Sequence, residues 1–353
     1  MKKSLIALAA LAATGAFAQS SVQIDGVMDV AVTSIDYKGQ KVSGIANNGS
    51  STSQINFRGT EDLGGGLKAN FRVETDWNTV SNSGNTGAAY VSGDAKGAAG
   101  TFGNGELRVG LAGNFGTIDA GAVNYNSLIS GLTGQPFGTA IGSGFGATSA
   151  RLVRSDNSIN YKSPSFGGLT VSLYNAQKQT KATGVSEAAF TTSFGAYDFT
   201  GSDEVNLSYN NGPIAASYTN LKQKAAAGTS TTYDTLGANY TMGAVKLFAL
   251  VQEKKTSNDS DKTSYASVSA AYTMGATTLM AQFGELKDKQ GANNGLKSKL
   301  SALGADYALS KRTAVYARYE SIDDKAGVAA NPATLTATNT TRTRTAVGVR
   351  HAF

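Results

Sequence analysis

The chain has 353 residues, no cysteine, one histidine, 42 glycines against 4 prolines, and a formal net charge of +6. Disulfides are excluded, a transition-metal site has almost no ligands to draw on, and the basic residues are too scattered for a nucleic-acid face. After the N-terminal segment no apolar run is long enough for a helix to span a bilayer.

Met1 to Ala18 reads as an export signal. Lys2 and Lys3 supply the charged start, Ser4 to Ala13 the apolar middle, and Ala16-Phe17-Ala18 the small-residue cleavage site. A short membrane anchor is the competing reading, and its apolar run falls short of a span. Cleavage leaves 19–353 with a net charge of +4.

From Val22 onward one motif recurs: an alternating run, a tight turn, another alternating run, then a longer polar stretch. Seven tight turns stand out, at Glu61 to Gly66, Gly113 to Gly116, Ser163 to Gly168, Asn210 to Pro213, Thr241 to Gly243, Thr273 to Gly275 and Ala308 to Arg312. Each carries residues suited to turn geometry. Between them the period is two. Leu67, Ala69, Phe71, Val73, Thr75 and Trp77 oppose Lys68, Asn70, Arg72, Glu74 and Asp76. Leu107, Val109 and Leu111 oppose Glu106, Arg108 and Gly110, and the runs from Leu169, Val205, Val245 and Val315 behave alike.

A half-buried sandwich strand would also alternate. Charge on the polar face and strict alternation of short turns with long loops favour a transmembrane barrel. Tyr161, Tyr209, Tyr240, Tyr272 and Tyr307 each stand just upstream of a turn, on the apolar parity. Ordinary cross-strand packing could place them, but the repeated offset suits an aromatic ring at one bilayer interface. Phe353 joins that ring at the end of Thr341 to Phe353, where Thr345, Val347, Val349, His351 and Phe353 alternate with Arg342, Arg344, Ala346, Gly348 and Arg350. One strand from Val22, fourteen in hairpins and one ending at Phe353 make sixteen, wide enough for an aqueous lumen. The predicted fold is therefore an all-β, 16-stranded antiparallel barrel, with domain limits 1–18 (signal) and 19–353 (barrel).

One connection differs from the rest. Residues 124–155, after the strand ending near Val123, are rich in glycine, contain no Asp or Glu, and carry Arg151 and Arg154. Folded inward, such a loop would narrow the lumen; a loose surface loop is the alternative. Gly142 to Gly146 looks like a phosphate-cradling loop only superficially, lacking the Gly-Lys-Ser/Thr ending and a following helix.

These residues carry a resemblance. SSVQIDGVMDV (Ser20 to Val30), FRGTEDLGGGLKANFRVE (Phe57 to Glu74), VGLAGNFGTID (Val109 to Asp119), DNSINYKSPSFGGL (Asp156 to Leu169) and VGVRHAF (Val347 to Phe353) resemble the general porins of the Gram-negative outer membrane, those of Neisseria, Burkholderia and Comamonas relatives above all. The resemblance implies a homotrimer, a third loop folded into the barrel, passive diffusion of small hydrophilic solutes and ions, and often an anion preference. It also implies contact with outer-membrane lipid and lipopolysaccharide, and handling by the barrel-assembly machinery through Phe353. Gln54, Gly121-Ala122 and the acid-free third loop depart from the pattern; Arg154 keeps it.

No catalytic constellation is present, so no enzyme activity, cofactor or metal is expected. His351 lies on the lipid-facing parity, where it serves no triad, and Asp259 with Asp261 reads as a solvated loop rather than a Ca²⁺ site. Function should lie in lumen-facing charge. By parity Arg58, Lys68, Arg72, Arg108, Lys162, Arg318 and Arg344 face inward, with Arg154 at the loop's return; Asp29, Glu74, Glu106, Glu204 and Glu320 are the acidic set. The constriction is expected at Arg58, Lys68, Arg72, Glu74, Glu106, Arg108, Arg151 and Arg154. Arg58, Arg72 and Arg108 fall on neighbouring strands and would form a basic ladder with Arg154, unless Arg72–Glu74 and Arg108–Glu106 neutralise one another. Two other functions stay open: a substrate-specific porin, and a secreted or surface β-rich adhesin without a pore.

Overall fold

The computed structural model describes residues 20–37, 40–80, 102–150, 152–177, 201–224, 228–290, 293–325 and 341–353. The predicted signal segment and Arg151 lie outside them. The described chain is almost wholly β. Its elements are β1 (Ser21–Tyr37), β2 (Gln40–Asn47), β3 (Gln54–Gly64), β4 (Leu67–Asp76), β5 (Leu107–Gly113), β6 (Gly116–Asn124), helix α1 (Asn126–Thr133), β7 (Arg154–Lys162), β8 (Leu169–Ala176), β9 (Ser202–Asn211) and β10 (Ile214–Lys224). There follow β11 (Ser230–Met242), β12 (Val245–Thr256), β13 (Lys262–Met274), β14 (Thr277–Asp288), β15 (Lys297–Ala308), β16 (Thr313–Asp324) and β17 (Arg342–Ala352).

Every pair is antiparallel, and β1 closes on β17 from Val27↔Ala352 to Tyr37↔Arg342. Closure removes the open edge that a sheet of this size would otherwise present. β1 pairs on its other side with two pieces: its first half with β3 and its second with β2. β2 and β3 are thus one barrel strand interrupted at 48–53, and the barrel has sixteen strands. All seven predicted turns connect adjacent strands.

The interruption was not predicted. Asp29 causes it: its fully buried carboxylate accepts the backbone N–H groups of Gly49, Ser50 and Ser51 at 3.1, 2.9 and 2.8 Å, and the Tyr316 hydroxyl. Three amides turned to one carboxylate draw 48–53 out of the wall and into the lumen.

The two faces of the sheet differ as a membrane barrel requires. Val22, Val109 and Val347 keep 71%, 63% and 66% of their surface exposed, and most outward positions are comparably apolar. Exposed apolar area on that scale needs lipid to cover it. The inward face is polar and packed: Asp29, Asn56, Ser172, Asn206, Thr219, Thr235, Gln282 and Glu320 are all buried. Tyr209, Tyr240, Tyr272, Tyr307 and Phe353 are exposed on the outer face beside the short turns, and Tyr161 is half-buried there, its hydroxyl donating to the Phe115 carbonyl at 2.8 Å. Phe353 exchanges two backbone hydrogen bonds with Gly26, extending the closure to the last residue. A side chain at Gly26 would collide with the Phe353 ring at 2.5 Å, so glycine is what lets that ring lie on β1.

Candidate functional site at the constriction

The long connection between β6 and β7 folds into the barrel and lines its wall. It holds one helix, α1, in a stretch the sequence reading gave no secondary structure. NSLISGLT is a weak helix former, and Tyr125 at its N-cap offers no side-chain bond. The cap comes instead from Glu204 on β9, which is buried and accepts the N–H groups of Asn126 and Ser127 at 2.6 and 2.7 Å and the Asn126 amide at 2.9 Å. A carboxylate at the helix N-terminus satisfies otherwise orphaned donors and complements the dipole.

The remaining anchors follow the wall. Ser130 bonds Ser217 at 2.7 Å and also Thr219, and Asn239 donates to the Thr133 carbonyl at 2.9 Å. Phe137 packs with Met280 and Ala302, its ring 5.9 Å from the Arg318 guanidinium. Ile141, fully buried, sits with Ala31, Tyr316 and Ala346. The Gly142 N–H donates to Glu320 at 2.9 Å, and the Ala150 N–H to Gln252 at 2.7 Å. Thr139 meets Thr52 of the inward 48–53 segment at 3.1 Å. The loop's contacts therefore begin at Asn160 on β7 and Tyr174 on β8, follow the wall through β16, and reach Ala346 on β17 and Ala31 on β1, away from the arginine-bearing strands β3 to β5.

α1 is amphipathic in an inverted sense. Ser127, Ser130 and Gly131 face the wall, while Ile129 is half exposed, with Leu128 and Leu132 half-buried beside it. The loop side of the constriction is apolar and free of acids.

Across the lumen the predicted arginine row exists. Arg58, Arg72 and Arg108 stand directly opposite one another in register on β3, β4 and β5. The cross-strand neutralisation weighed against it exists as well. Arg58 pairs with Asp25; Arg72 pairs with Glu74 at 2.5 Å and Glu106 at 2.7 Å; Arg108 pairs with Asp119 at 2.7 Å and lies 3.6 Å from Glu106. Asn56 and Asn70 fill the gaps, accepting from Arg72 and Arg108. The arginine row and its cross-strand neutralisation thus coexist. What distinguishes the signs is depth. In each pair the guanidinium is the more exposed partner: Arg58, Arg72 and Arg108 keep 48%, 21% and 25% of their side-chain surface, against 20% for Asp25, 14% for Asp119 and 9% for Glu74 and Glu106.

Arg154 is at the loop's return and donates to the Asn104 carbonyl. Lys68 is exposed on the lumen parity of β4, away from the row. Glu204 and Glu320 are not solute-facing acids but the two main loop anchors. Arg344 and Arg342 hold Glu320, at 2.7 and 3.3 Å. Arg318 is buried and pairs with Asp306 at 2.7 Å. Sequence reading missed Asp25 and Asp119, because only strand pairing brings them beside the arginines. It also left out Lys246, which the alternation in β12 could have found, and did not count Arg350 among the lumen charges although it lies on the polar parity of β17; both face inward and have no carboxylate within 4 Å among the described residues.

A closed, sixteen-stranded barrel with an apolar belt, a polar lumen and an inward loop is the architecture of an outer-membrane diffusion channel. Residues 4–327 match the Gram-negative porin family, and the chain belongs to that family. It is 33% identical to outer membrane porin protein 32 of Delftia acidovorans over the full length of both chains. It is 30% identical to the major outer membrane protein P.IB of Neisseria gonorrhoeae, over 65% of this chain and 59% of that one. Among solved structures, the anion-selective porin from Comamonas acidovorans superposes with a TM-score of 0.73 at 28% identity, covering 95% of this chain and 100% of the other. The protein is an outer-membrane porin, a channel for passive diffusion.

Proposed function

We propose that this porin favours anions weakly and works as a homotrimer, with its barrel in contact with outer-membrane lipid and lipopolysaccharide. The observation that carries the anion preference is the depth ordering at the constriction: arginines forward, carboxylates recessed, and no acid on the loop opposite. A recessed carboxylate cancels much of the far field but little of the near one, so a small anion passing Arg72 and Arg58 gains more than a cation loses. The anion-selective character of the similar Comamonas porin supports this reading. Lys68, Lys162, Lys246 and Arg350 add positive charge along the lumen.

The test is a planar bilayer under a salt gradient. Conductance steps in threes, with a reversal potential favouring anions, are the expected result, and a cation-favouring potential would sink the proposal. The preference should fade as salt rises, because the screening length shrinks from about 8 Å at 0.15 M to about 3 Å at 1 M. Arg72→Gln should carry the reversal potential to the cation side, since it leaves Glu74 and Glu106 without their shared partner.

In the same reading residues 1–18 are the cleaved export signal, and the aromatics from Tyr161 to Phe353 mark the periplasmic interface, with Phe353 read by the assembly machinery. The intact mass of the protein from outer membranes should match a chain starting at Gln19; a mass that retains residues 1–18 would refute cleavage there.

A further inference from the structure

Outward-facing residues of β11 to β15 form level rows around the barrel. Leu236, Val251, Ala266, Glu285 and Lys299 make one row; Asp234, Glu253, Ser264, Lys287 and Lys297 make the next one out, with Asp234 accepting from the Tyr218 hydroxyl and the Asn220 amide. Below them the surface is apolar, through Val268, Phe283 and Leu303 down to Tyr272 and Tyr307. Small side chains at Ala249, Ser264 and Ala266, between taller Leu236, Val251 and Phe283, leave two adjoining grooves of about 510 and 480 Å³. The first opens beside Lys287, with Asp234, Glu253 and Glu285 also in its lining, and the second beside Lys299 and Glu285.

The level of these lysines fits a lipid headgroup. Lys299 lies eight residues up β15 from Tyr307. That is roughly 27 Å of strand and about 20 Å of barrel height at ordinary tilt, near the top of an apolar band about 25 Å tall. Their pairing fits too. Lys262 is held by Glu253 at 2.8 Å and Lys297 by Glu285 at 2.7 Å. Lys287 and Lys299 are exposed and have no carboxylate within 4 Å among the described residues. The outward positions of β16, β17 and β1 carry no lysine or arginine, so this crown is one-sided.

We infer that the outer face of β11 to β15 is a docking site for the phosphorylated glycolipid of the outer leaflet, with acyl chains in the two grooves and a phosphate between Lys287 and Lys299. The site deepens the proposed contact with lipopolysaccharide and rests on it. An apolar groove alone would take any acyl chain; two unpaired ammonium groups at its upper mouth select an anionic headgroup at that depth.

The mature protein, refolded into phosphatidylcholine vesicles doped with bisphosphorylated lipid A, would be extracted in mild detergent and its retained lipid counted by native mass spectrometry. Retention on the parent protein is expected to fall by at least about tenfold in Lys287→Glu/Lys299→Glu. Ala266→Trp, which fills the groove and leaves both lysines, should lose it as well. Dephosphorylated lipid A should not be retained. Equal retention by parent and double variant would overturn the site. So would equal retention of the dephosphorylated lipid, or of phosphatidylglycerol, since either would mean general adhesion to the belt. No retention by the parent would overturn the contact with lipopolysaccharide as a whole. Single-channel conductance of each variant should equal the parent's, which keeps a failed fold apart from a failed site.

Discussion

Replacing Glu320 by alanine should lower the barrel's stability by about 3–5 kcal/mol, the usual cost of leaving buried charge unpaired. Glu320 is wholly buried. Its two oxygens accept from Arg344 at 2.8 and 2.7 Å, from Arg342 at 3.3 Å and from the Gly142 N–H at 2.9 Å. Alanine strands two guanidinium groups and one amide donor where little water can replace the lost partner. The same change unhooks the constriction loop at its far turn, so single-channel traces should become noisy and the anion preference should rise. Glu320→Gln keeps the shape and one acceptor but not the charge, and should fall between alanine and the parent. Urea unfolding of the refolded protein in detergent, followed by bilayer recording, checks both effects. If alanine and glutamine variants unfold with the parent, Glu320 is not holding the arginine pair.

Much of this could be read from the sequence because it is local. Alternation in Leu67 to Trp77 assigns each side chain a face without knowing the neighbouring strand, and Gly, Asn and Ser at the short turns set the hairpins. What escaped depends on partners distant in sequence. The helix α1 is invisible in NSLISGLT because its N-terminal cap is Glu204, 78 residues away from Asn126. The interruption at 48–53 is invisible because Asp29, two strands' worth of chain earlier, gathers its amides. The arginine row could be placed from parity alone, since Arg58, Arg72 and Arg108 share a face. Whether it was neutral could not, because Asp25 and Asp119 reach it only once register is fixed. Parity also put Glu204 and Glu320 in the lumen, correctly, but could not tell a solute-facing acid from one covered by a loop.

Gly237→Val should cut single-channel conductance substantially while leaving the barrel's stability nearly unchanged. A Cβ at Gly237 would lie 1.8 Å from the Ser130 carbonyl oxygen and 2.8 Å from the Gly134 nitrogen. Both are backbone atoms of the loop, so no side chain can swing aside, and α1 must leave the wall. It cannot slide along it: Glu204 fixes one end and Asn239 the other. The remaining direction is inward, at the expense of the bonds from Ser130 to Ser217 and Thr219. That motion drives Leu128, Ile129 and Leu132 further toward Arg58 and Arg72, narrowing the aqueous path and lining more of it with apolar surface that dewets readily. The strands themselves lose nothing, because valine suits β11 and its backbone pairing is intact. Ala238→Val, one residue on and facing outward, adds bulk to the same strand away from the loop and should conduct like the parent. Conductance unchanged in Gly237→Val would mean that α1 is not seated on β11. A fall in both variants would assign the effect to the strand rather than to the helix lying on it.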